Sequence, residues 1–92
     1  MNRLETKTDF FHTELSLAGL ATHDIILTFS FAPVSIEMIY FYCAYTGGEA
    51  SNNIFQIQSI TFDGYTVIVT IKNPMTSTTR EANTGVIVTA AG

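Results

Sequence analysis

Apolar residues in this chain recur at every second position over long stretches. From His23 to Phe31, Ile25, Leu27, Phe29 and Phe31 share one parity, and Ile26, Thr28 and Ser30 the other. That period of two is the signature of a β-strand. Pro33 ends it, because proline has no amide proton for a ladder. A second run follows, from Val34 to Tyr45. Val34, Ile36, Met38, Tyr40 and Tyr42 alternate with Ser35, Glu37, Ile39, Phe41, Cys43 and Tyr45. Both parities are apolar from Ile39 onward, which predicts burial on both sides of that strand, one against the core and one against a second subunit. Further on, Phe55, Ile57 and Ser59 alternate with Gln56, Gln58 and Ile60. After Asp63-Gly64 the alternation resumes with Tyr65, Val67, Val69 and Ile71 against Thr66, Ile68, Thr70 and Lys72. An Asp-Gly pair between two such runs predicts a β-hairpin closed by a type I′ turn, whose two central residues take positive φ.

The remaining segments are less regular. Leu4 to Leu17 alternates loosely and predicts one or two strands, since threonine and phenylalanine favour that state. A helix over Glu14–Ala21, capped by Thr13, competes with this reading, and Gly19 weighs against it. Thr46–Asn53 and Asn73–Asn83 are polar and rich in glycine, threonine, serine and asparagine, so both are expected as loops. Thr84–Ala90 closes the chain as a strand, with Val86 and Val88 opposite Ile87. The expected fold is all-β: an antiparallel β-sandwich of six to seven strands in a single domain spanning residues 1–92, with residues 1–22 as an extension or arm.

Composition narrows the function. Of the 92 residues, 47% are apolar and only 13% charged. This excludes a disordered chain and favours subunit contacts that hide apolar surface. The net charge is −4 and the four basic residues, Arg3, Lys7, Lys72 and Arg80, form no run, so nucleic acid is not an expected partner. Met1–Phe10 lacks the apolar core of a signal peptide. Ile36–Tyr45, the longest apolar stretch, is too short to cross a bilayer, so synthesis in a cytosol without membrane insertion is expected. Cys43, the lone cysteine, falls in that stretch and reads as a buried free thiol.

No catalytic pattern emerges. His12, His23 and Cys43 lack the spacing of a metal site, and neither a metal nor a cofactor is expected. His23 and Asp24 are neighbours on a strand, so their side chains leave on opposite faces and cannot orient one another. No nucleophile elbow is present. Glu37, Glu49, Asp63 and Glu81 are the carboxylates to weigh for glycoside cleavage. Asp63 is explained by its turn, Glu49 and Glu81 fall in loops, and Glu37 is expected to pair across strands with Lys72 or Arg80. A ligand, if there is one, is expected at the loops: Asn52, Asn53, Arg80 and Glu81 for hydrogen bonds to sugar hydroxyls, with Tyr45 or Tyr65 as a stacking face. For a subunit interface the candidates are Ile39, Phe41 and Tyr45.

Three segments carry a family resemblance. The run ILTFSFAPVSIEM, Ile26 to Met38, places Phe29 and Phe31 before Ala32-Pro33-Val34. Later come SITFDGYTVIV and the closing TGVIVTAAG. Over His23–Gly92 the chain resembles the small β-sandwich domains at the ends of bacteriophage tail fibres and the related H-type lectin fold. The resemblance implies a non-enzymatic virion protein made in the host cytoplasm. Its module would be of the tail-fibre or receptor-binding type, homo-oligomeric, with other virion proteins and host surface glycans as partners. A capsid decoration subunit and a free H-type lectin are the alternatives.

Overall fold

The computed structural model describes residues 3–10, 15–45 and 54–92. Among them, seven strands form two antiparallel sheets: β1 (Leu4–Phe10), β2 (Leu15–Leu17), β3 (Thr22–Thr28), β4 (Ser35–Tyr45), β5 (Gln56–Asp63), β6 (Thr66–Lys72) and β7 (Arg80–Ala91). The fold is an all-β sandwich. In one sheet β7 is central, with β4 along one side and β1 and β2 in tandem along the other. In the second sheet β6 is central, between β3 and β5.

The two central strands have the most regular sequences. β6 alternates cleanly, with Val67, Val69 and Ile71 fully buried. β7 has no charged residue from Ala82 to Ala91, and its inward row of Val86, Val88 and Ala90 is equally buried. Each such side chain contributes on the order of 1.5–3 kcal/mol relative to exposure for Val or Ile, less for Ala. Ile25 and Leu27 join them from β3, as their alternation predicts. The row continues past the strand through Phe29 and Phe31, whose rings lie 6.2 Å apart.

At one end of the sandwich Asn73 is fully buried and acts as a tie. Its Nδ2 donates to the carbonyls of Leu17 (2.9 Å) and Thr78 (2.7 Å), with a longer contact to Ala18 (3.3 Å). Its Oδ1 accepts the amide of Met75 at 3.1 Å. This joins the 73–79 connection to the tight turn between β2 and β3. In that turn a Cβ at Gly19 would lie 2.8 Å from the Ser77 nitrogen, so only glycine fits. Leu20, next in line, takes φ +63°. That left-handed conformation is costly for a leucine. At the opposite end, Arg3 and Gly92 exchange backbone hydrogen bonds, and the Arg3 guanidinium sits 6.0 Å from the centre of the Phe31 ring.

Four expectations are corrected. The hairpin forms, but Asp63 pairs with Thr66, so the loop residues are Gly64 and Tyr65. Gly64 has φ +58°, and no non-glycine residue in the hairpin has positive φ. Positive φ at the first loop position alone is the type II′ pattern rather than type I′. Asp63 stays in the strand, its carbonyl accepting the Thr66 hydroxyl at 2.6 Å. Second, Arg80–Asn83 belong to β7 and not to a loop, because β2 and β4 supply partners for their backbone groups. Third, the competing helix is replaced by β2 and its turn. Fourth, bulges break the alternation in β4, between Ile36 and Met38, and in β5, between Ile57 and Ser59.

β1 carries charge on its inward side. Glu5, Lys7 and Asp9 pair with Ala90, Val88 and Val86, so they hang over the edge of the core. Such inward charges discourage further strand pairing. Glu5 accepts the Ser30 hydroxyl (2.5 Å) and the Ser30 amide (3.1 Å), and Lys7 lies 3.6 Å away. The Ser30 hydroxyl chiefly holds the Glu5 carboxyl below its usual range, against a smaller upward push from desolvation.

Two outcomes follow. Gly64→Ala lowers stability by about 1 kcal/mol, since alanine is strained at positive φ, whereas Asp63→Ala changes it by less than about 0.5 kcal/mol; thermal melts compare them. A depressed carboxyl stabilises the fold above its unfolded pKa and loses that contribution as pH falls through its folded value. Wild type therefore melts above Glu5→Gln at neutral pH, and the gap closes on acidification below the ordinary carboxyl range.

Candidate functional site

Of the expected ligand residues that are described, Tyr65 stands apart from Arg80 and Glu81, which begin β7 beside the end of β4. Tyr65 sits in the hairpin loop, 60% exposed, and its carbonyl accepts the Phe29 amide. Arg80 and Glu81 begin β7 opposite Leu17 and Ser16, at the end where Asn73 lies. The length of β6, about 3.3 Å for each of its residues, separates the two groups. Arg80 and Glu81 are themselves adjacent in a strand and leave on opposite faces. Tyr45 ends β4 beside Ala82. Asn52, Asn53, Glu49 and His12 lie outside the described residues, as does the Tyr45 side chain.

The remaining candidates are also dispersed. His23 is half-buried on the inner side of β3, and Asp24 faces outward, where it accepts the Thr70 hydroxyl at 2.7 Å. Cys43 is buried in the other sheet and takes part in no disulfide. Among the described residues no group of three or more His, Cys, Asp or Glu side chains is placed to hold a metal ion. Glu37 is exposed at the β4 bulge, beside the Ala90–Thr89 part of β7. Arg80 stands at the far end of that strand and Lys72 at the same far end of the facing sheet. The expected cross-strand pair therefore does not exist, because the strand directions carry its members apart.

Exposed apolar side chains occur on β4 and on β5, an outer strand of each sheet among the described residues. On β5, register with Ile71, Val69 and Val67 points Ile57, Ile60 and Phe62 toward the facing sheet. Yet Ile57 is 37% and Phe62 44% exposed. An inward row should be covered, so the sandwich is open here. Ile39 and Phe41, named above as interface candidates, pack against the core from β4 but are only partly buried. On the outer face of β4, Met38 is 44% and Tyr40 56% exposed, and the rings of Tyr40 and Tyr42 stack at 6.4 Å.

Both bulges help to create this surface. The β4 bulge places Ile36 and Ile39 on one face, leaving Met38 and Tyr40 outside; the β5 bulge does the same for Ile57 and Ile60. Strict alternation puts Ile57 and Ile60 on opposite faces of β5, whereas the bulge sets both inward. The trace in the sequence is an apolar spacing of three inside a strand, which a single bulge accommodates.

No family model, curated protein or solved structure matches this chain. Its function therefore rests on its own surface chemistry.

Because Ile57 and Phe62 are exposed, their side chains matter little to the folding of a single chain. Phe62→Ala costs less than about 1.5 kcal/mol in chemical denaturation, whereas Ile71→Ala, on the covered row, costs about 2–5 kcal/mol.

Proposed function

We propose that this chain is a non-enzymatic structural module that assembles with copies of itself in a bacteriophage-type virion, of the tail-fibre or receptor-binding kind. One observation carries the assembly part: on a protein with few charges, inward-facing Ile57 and Phe62 of β5 remain exposed, as do Met38 and Tyr40 on the outer face of β4. Burying them in a subunit contact removes apolar area from water at roughly 25 cal/mol per Å². The virion part rests on the resemblance of His23–Gly92 to tail-fibre end domains. The scattered His, Cys and carboxylate positions supply no reason to assign a reaction. In this reading Tyr65 shares no ligand with Arg80 and Glu81, which lie at the other end of the sandwich beside the end of β4.

Sedimentation equilibrium of the purified chain tests the proposal. Reversible assembly to a dimer or higher state at micromolar concentration is expected. A chain that stays monomeric across the accessible range contradicts it.

A further inference from the structure

β1 is held differently from the other strands of its sheet. Of its side chains from Leu4 to Asp9, none belongs to the buried core or packs against it as a partly buried apolar group. Leu4 is 68% exposed, and the inward positions are Glu5, Lys7 and Asp9. By contrast β2, β4 and β7 each send side chains into the core, among them Leu17, Cys43 and Val88. What holds β1 is backbone pairing with β7 along all seven of its residues, extended by the reciprocal Arg3–Gly92 bonds. Two side-chain ties add to this. The Thr6 and Thr89 hydroxyls meet at 2.7 Å, and Glu5 accepts both the amide and the hydroxyl of Ser30.

β7 is in the opposite position. Val86, Val88 and Ala90 are fully buried, and no charge occurs from Ala82 to Ala91, so the side of β7 that β1 covers needs a strand against it. A strand held mainly by backbone bonds opens locally at a lower free energy than the core. It is also replaced without loss by an identical strand. The same register, the same Thr6–Thr89 contact and the same Glu5–Ser30 tie form whichever copy supplies β1.

We propose that β1 is an exchangeable arm: it leaves its own β7 and pairs in the same antiparallel register with β7 of a second copy, which gives its β1 in return. This rests on the assembly reading above and names the element that joins the copies. Exchange of an identical element is a low-cost route to a dimer. Chain order permits it. β1 leads along the chain to β2 and not directly to β7, so it can leave while Leu15–Leu17 keep their pairing with Ala82–Arg80. Since exchange restores every contact of the single chain, concentration sets the balance between monomer and dimer.

The test uses the Thr6–Thr89 contact. A Thr6→Cys, Thr89→Cys double variant is oxidised when dilute, so that the disulfide forms within one chain and pins β1 to its own β7. Its association is compared before and after reduction by sedimentation equilibrium, with wild type alongside and thermal melts to show that both forms fold. An oxidised form whose dissociation constant is more than tenfold above that of the same protein reduced supports the proposal. In a second arm, the Thr6→Cys and Thr89→Cys single variants are mixed at a concentration where wild type assembles, and then oxidised. A disulfide joining position 6 of one chain to position 89 of the other, found by peptide mapping, supports exchange even where the double variant does not fold. Oxidised and reduced forms that associate equally, or a mixture without that crosslink, overturn the exchange and leave the assembly reading standing. A wild type that stays monomeric overturns both.

Discussion

The facing of two apolar rows, Val67, Val69 and Ile71 from β6 against Val86, Val88 and Ala90 from β7, is the constraint on which this structure depends. Each row belongs to the central strand of its sheet, and the other strands dock around that pair. A central strand is flanked on both sides and covered on one face, so charge there would be buried without a partner. β7 accordingly runs from Ala82 to Ala91 without a charge, and β6 admits one only at its last residue, Lys72. Charge collects instead on β1, the Glu5–Lys7–Asp9 edge, where it remains hydrated. The buried Asn73 fits the same logic. It satisfies carbonyls from the β2–β3 turn and the 73–79 connection, letting an irregular end of the sandwich close over the core without orphaned polar groups.

Much of this was legible in the residues, because period-two burial is a local pattern. The Ile25–Phe31 row, the β6 alternation and the existence of the hairpin follow from side-chain parity alone. What escaped was whatever depends on a neighbour in space. Asp63-Gly64 carries a hairpin signal, but the register that makes Gly64-Tyr65 the loop is set by pairing along the full length of β5 and β6. Arg80–Asn83 looks like loop by composition. It becomes strand because β2 and β4 are there to pair with it. The bulges at Glu37 and Gln58 are the same kind of event: one extra residue reverses parity, and the faces assigned on either side exchange.

The candidate surface was visible only in part. The double-sided apolar character of Ile39–Tyr45 predicted burial on both faces, but within one chain only the Ile39, Phe41 and Cys43 face meets the core, and Tyr40 on the other is exposed. The β5 contribution was not readable, because Ile57 and Phe62 are inward by register and look like core. Their exposure is a property of the assembled sandwich and not of their own parity. Sequence proximity to a loop says nothing about which end of the molecule that loop occupies, so the separation of Tyr65 from Arg80 was not readable. Tyr65 and Arg80 lie a full strand apart. The assembly proposal rests on the exposure of Ile57, Phe62, Met38 and Tyr40 in a chain with few charges.

Residue-resolved amide hydrogen exchange tests the central claim most directly. If the β6 and β7 rows hold the fold together, the hydrogen-bonded amides of Val67–Ile71 and Val86–Ala90 exchange only through global unfolding, and those of β1 open earlier through local fraying. Contradiction would come from β1 amides outlasting those of β6 and β7, because the stability would then reside in an edge that this account treats as peripheral.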